Sequence, residues 1–109
     1  MIPYTDFLEL VSDAMDCRSL DEYINECGGS VPLDDVDEVI KLLRAIWSMA
    51  HDGLNIKSIA QTCGLSVRQI GTRFKLPCRT IEAWSAGTRV PPPWLLPLIA
   101  YTSLSIAET

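Results

Sequence analysis

The chain carries a single histidine, His51, and none of its four cysteines forms a CxxC pair, so the usual ligand sets for zinc and other soft metals are missing. A G-x-S-x-G elbow, a phosphate-binding glycine loop and paired carboxylates of a hydrolytic site are missing too, which argues against an enzyme. No apolar run approaches ~20 residues, and the acidic first thirty residues do not resemble a basic start leading into an apolar stretch. Neither a membrane span nor a leader is expected, and the chain reads as cytoplasmic. In that compartment Cys17, Cys27, Cys63 and Cys78 read as reduced small hydrophobes, with no metal and no cofactor. Strand alternation and solenoid-period repeats are lacking, so the fold class is all-α.

What is present is average in amount and uneven in placement. The 109 residues are 48% apolar and 21% charged, enough for one compact core, with room for two lobes. The formal charge is −5. Through Gly53 there are twelve Asp/Glu against three Lys/Arg, a balance of −9; from Leu54 onward there are six Lys/Arg against two Asp/Glu, a balance of +4. This asymmetry suggests an acidic helical extension over 1–53 joined to a nucleic-acid-binding domain over 54–109.

In the acidic part a first helix runs from Tyr4 to Met15, capped by Thr5 or Asp6. Phe7, Leu8, Leu10, Val11, Ala14 and Met15 form its apolar stripe. Ser19 with Glu22 reads as a capping box opening a second short helix, closed by Gly28-Gly29, with Ser30 to Leu33 as a connector. Asp34, Asp35, Asp37 and Glu38 crowd the start of a longer helix, where carboxylates complement the dipole. Its apolar arc is wide enough for two packing partners.

In the basic part Asn55 caps a helix that Gly64 stops, and Ser66 with Gln69 is a second capping box. The helix it opens is expected to bury Val67, Ile70, Gly71 and Phe74. Glycine at mid-helix position 71 costs up to ~1 kcal/mol against alanine and is tolerated where another helix crosses closely. Lys75-Leu76-Pro77 then reads as a turn, and Pro77 as the start of a helix that hides Ile81 and Trp84. Its other side displays Cys78, Arg79, Glu82, Ala83 and Ala86. Gly87 ends it. The run Arg89-Val90-Pro91-Pro92-Pro93 is a stiff connector to a last helix from about Pro93, with Trp94 and Trp84 both read as core and the tail from Ser105 expected to fray.

Gly64-Leu65-Ser66, Ile70-Gly71, Phe74, Thr80-Ile81, Trp84, Gly87, Arg89 and Pro91 follow one another without a gap in a pattern that resembles the phage Cro/repressor-like (XRE-type) helix-turn-helix family. The resemblance covers about half of the chain, Ile56 to roughly Ser103. It implies a sequence-specific DNA-binding transcriptional regulator, of repressor or antitoxin type, that places its second motif helix in the major groove of double-stranded DNA as a homodimer. Carried onto this chain, the base contacts are Cys78, Arg79, Glu82 and Ala83, with Arg79 foremost because a guanidinium bonds guanine O6 and N7 together. The phosphate contacts are Ser66, Arg68, Lys75, Thr88 and Arg89. Val67 stands where the family commonly has a polar residue, and Lys75 where it often has glycine. The acidic helices would serve as a dimer interface or hold a protein partner such as a toxin. The alternative reading is a protein-interaction adaptor or inhibitor that uses the same scaffold without reading DNA.

Overall fold

In the computed structural model, which describes residues 1–107, seven α-helices carry the chain and no strand occurs among the described residues. The chain divides into two compact units, Met1–Gly53 and the part from Leu54 onward.

The first unit holds α1 (Tyr4–Asp16), α2 (Leu20–Cys27), a 3-10 turn over Gly28–Ser30 and α3 (Val36–Ala50). Neither Thr5 nor Asp6 caps α1. The helix starts earlier, after Pro3, whose φ of −58° sets the chain's entry and whose carbonyl accepts the Phe7 N–H at 3.1 Å. Phe7, Leu10, Val11 and Ala14 are buried, but Leu8 and Met15 lie beyond the buried arc and stay exposed. At α2 only half of the expected capping box forms. Ser19 Oγ accepts the Glu22 N–H at 3.1 Å, while the Glu22 carboxylate accepts from the Arg18 N–H instead of from Ser19. Asp35 caps α3 by accepting the Asp37 N–H at 2.9 Å, and α3 packs against both α1 and α2 through Val39, Leu42, Leu43 and Ile46.

Tyr23 ties this unit together. Fully buried, it donates its hydroxyl to the Leu10 carbonyl at 2.8 Å and sets its ring 5.6 Å from that of Trp47. Burial pushes its hydroxyl well above the ordinary phenol range. Burial, with Asp13 next to it, also pushes the Cys27 thiol up to about 11 from an ordinary 9.0. Both groups hold their protons longer folded than unfolded; the stability that Cys27 contributes is full below pH 9 and lost as pH climbs through 11, and that of Tyr23 is lost only at higher pH. Denaturant midpoints should therefore fall between pH 9 and pH 11, and fall less in Cys27→Ala; identical profiles for the two proteins would contradict this account.

The second unit holds α4 (Ile56–Cys63), α5 (Val67–Arg73), α6 (Cys78–Ala86) and α7 (Leu95–Ala107). Asn55 and Ser58 form a reciprocal capping box at α4, and Ser66 and Gln69 another at α5. The helices α5 and α6 cross at Gly71, where an added Cβ would stand 2.9 Å from Ile81 Cγ2. That distance is the reason for glycine at this position. Val67 and Phe74, expected in the core, are half-buried.

Helix α7 lies on α4 and buries Ile99, Ala100, Ser103 and Leu104. The Ser103 hydroxyl has no partner, which costs roughly 1–3 kcal/mol for a buried group. The helix opens at Leu95 and continues through Ala107, past the point where fraying was expected. Trp94, read from the sequence as core, sits in the turn before the helix and is 66% exposed. No helix among the described residues is long and apolar enough to cross a membrane.

Candidate nucleic-acid interface

Three helices of the second unit end in the same way. After α4, α5 and α6 one residue turns left-handed, and its amide and the next one bond back to the last helical carbonyls. At the first and third ends that residue is glycine, Gly64 with φ 67° and Gly87 with φ 79°. At the middle one it is Lys75, φ 54°, the only non-glycine residue with positive φ among the described residues. Lys75 N bonds Thr72 O at 3.2 Å and Leu76 N bonds Gly71 O at 2.8 Å. A side chain with a Cβ costs roughly 1–2 kcal/mol in this conformation. The motif keeps its turn and gains an exposed ammonium in exchange.

Pro77 then opens α6, its carbonyl accepting from the Thr80 and Ile81 amides at 3.0 and 3.1 Å. Ile81 is fully buried beneath Gly71 and Trp84 is half-buried, so the opposite side of α6 is fixed outward. Cys78, Arg79, Glu82 and Ala86 are exposed there. Ala83 departs from the expected face. It is half-buried, and its carbonyl accepts the Thr88 amide and hydroxyl and the Arg89 amide. Among the described residues Arg79 pairs with no carboxylate.

All six cations of this unit, Lys57, Arg68, Arg73, Lys75, Arg79 and Arg89, are exposed. Arg68 Nε lies 3.6 Å from Glu82 Oε1, which joins the start of α5 to the outer face of α6. With side chains 76% and 54% exposed, the pair is worth little and is readily exchanged for another anion. The two line a cavity of about 350 Å³ with Lys57, Ser66, Val67, Ser85 and Ala86. Lys57 and Ser85 had not been singled out in the sequence, because their approach to Arg68 depends on how α4, α5 and α6 pack. Ser66 spends its amide and the oxygen lone pairs of its hydroxyl on Gln69, leaving the hydroxyl proton to give. Thr88 spends its hydroxyl proton on the Ala83 carbonyl at 3.3 Å, so as a phosphate donor it would first have to release that carbonyl.

Two polar groupings lie in the other unit. Cys17 Sγ, Glu22 and Glu26 bring donor atoms within 4.8 Å of one another, and burial and the neighbouring carboxylates raise the thiol's pKa. His51 stacks on Trp47 at 4.8 Å, with Nδ1 2.7 Å from the Trp47 carbonyl and Nε2 3.0 Å from Asp52. Both ring nitrogens are engaged at the end of α3. No protein-family model matches the chain, and no curated protein or solved structure matches it significantly.

Proposed function

We propose that this chain is a cytoplasmic, non-catalytic DNA-binding regulator of the phage Cro/repressor-like type, acting as a repressor or antitoxin and binding an operator as a homodimer. The observation that carries the reading is Arg79: an exposed guanidinium without a carboxylate partner, near the start of a helix held outward by Ile81 and Gly71. In the major groove that position suits a bidentate bond to guanine. Arg68, Lys75 and Arg89, with Lys57 beside Arg68, flank it as phosphate contacts, and Cys78, Glu82 and Ala86 complete the surface facing the bases. The acidic unit would hold a protein partner, such as a toxin.

The second reading, an adaptor that does not read DNA, draws on Glu82, whose carboxylate stands within the same outward face and repels phosphate when Arg68 releases it. Selection from a random duplex pool, followed by salt titration of the selected site, separates the two. The regulator is expected to enrich a palindrome and to lose affinity with a log–log salt slope near −0.9 per phosphate neutralised, so about −3.6 for one set of four contacts and about twice that for the homodimer. No retention of any duplex at low salt would overturn the reading in favour of the adaptor.

A further inference from the structure

Helix α7 has the composition of a helix buried on every side, yet only one of its sides is covered. From Val90 to Ala107 there is no Asp, Glu, Lys, Arg or His. Ile99, Ala100, Ser103 and Leu104 face inward, while Leu98, Thr102 and Ile106 are exposed on the other side and Trp94 is exposed in the turn just before the helix. Leu98, Thr102 and Ile106 recur every four residues, the spacing of a side-chain ridge that interlocks with a like ridge on another helix, and Trp94 adjoins the start of that ridge in sequence. Trp94 is 66%, Leu98 38% and Ile106 39% exposed. Together these three present on the order of 300 Å², the size of the largest apolar patch on many monomers, which is often functional.

We infer that this ridge is the surface on which two copies of the chain meet, Trp94 and Leu98 of each packing on the other about a two-fold axis. Charge selects the occupant. Two copies meeting through the first unit would bring −9 against −9, and through the α5–α6 surface cations against cations. The ridge of α7 carries no charge, so a copy of itself meets no repulsion there. A stable dimer buries about 800 Å² per partner; the ridge supplies the apolar centre of such an interface and the prolines before it the margin. A two-fold contact uses the same patch twice, which agrees with a single continuous ridge in place of a patch and a separate socket. The inference rests on the homodimer of the proposed function, and goes beyond it by naming the surface.

Sedimentation of the full chain from 1 to 100 µM tests it. The unmodified protein is expected to be a dimer at the upper end, with Trp emission moving to shorter wavelength as the dimer forms. Trp94→Lys and Leu98→Lys should each be monomeric with unchanged helical circular dichroism, since both positions are solvent-facing. A monomer throughout the range, or a dimer in both variants, overturns the assignment and leaves the ridge for a different protein or a lipid surface. DNA keeps the two conclusions apart. If the variants lose tight binding to a palindrome but match the parent on a single half-site, both stand; if the dimer dissociates as described while no duplex is bound, the surface stands and operator binding falls.

Discussion

Arg79→Ala is expected to weaken binding to a selected operator by about 5- to 150-fold per site, the equivalent of roughly 1–3 kcal/mol for one bidentate base contact, while affinity for random duplex falls by only the share of one charge. Arg79→Lys should keep the non-specific part and recover little of the specific part, because an ammonium cannot present two parallel donors. The measurement is a pair of titrations for each protein, on operator and on random DNA at one fixed salt concentration. Equal proportional losses on the two duplexes would demote Arg79 to a phosphate contact. Folding should not confuse the result, since an exposed position without an ion-pair partner usually changes stability by within ~0.5 kcal/mol.

Gly71→Val is expected to destabilise the second unit by roughly 1–3 kcal/mol, seen as a lower melting temperature. Even the first carbon of the new side chain would lie 2.9 Å from Ile81 Cγ2, and valine adds two more where α5 and α6 already touch. Relief by sliding the helices apart would also tilt Arg79 from its position, so operator affinity should fall with stability. Ile81→Ala alone leaves a cavity at a fully buried site and should cost roughly 2–5 kcal/mol. Combined with Gly71→Val it should cost less than the sum, because the valine enters the space the isoleucine leaves. Strict additivity in thermal unfolding of the four proteins would mean that the crossing is not where the strain lies.

Those parts of the fold that depend on short-range chemistry were legible in the sequence. Ser66 with Gln69, Gly64 and Gly87 define their helix ends by hydrogen bonds reaching three to five residues, so residue type and spacing suffice. Gly71 was legible for a related reason, since an unfavourable residue in a helix needs a steric cause. Pro3 as the opening of α1, Leu8 and Met15 as exposed, and the pairing of Glu22 with Arg18 were not, because each is decided between competing local options of similar energy. Trp94 misled for a deeper reason: a large aromatic side chain signals burial without saying whether its cover comes from the same molecule. Among the candidate contacts, the outward placing of Arg79, Cys78 and Glu82 follows from helical periodicity, while their role toward bases is only what the resemblance implies. Lys57, Ser85 and the Arg68–Glu82 approach come from three helices packing together, and periodicity within one helix carries no information about that.

The left-handed conformation of Lys75 sets two demands on one residue that no amino acid meets together. Glycine would let the bend between α5 and α6 form without strain but would bring no charge to it; lysine brings the charge and keeps the strain. If the α5–α6 surface grips a polyanion as proposed, selection for heat tolerance and selection for that grip pull this position in opposite directions, and which residue occupies it in any descendant of this chain records which pressure prevailed.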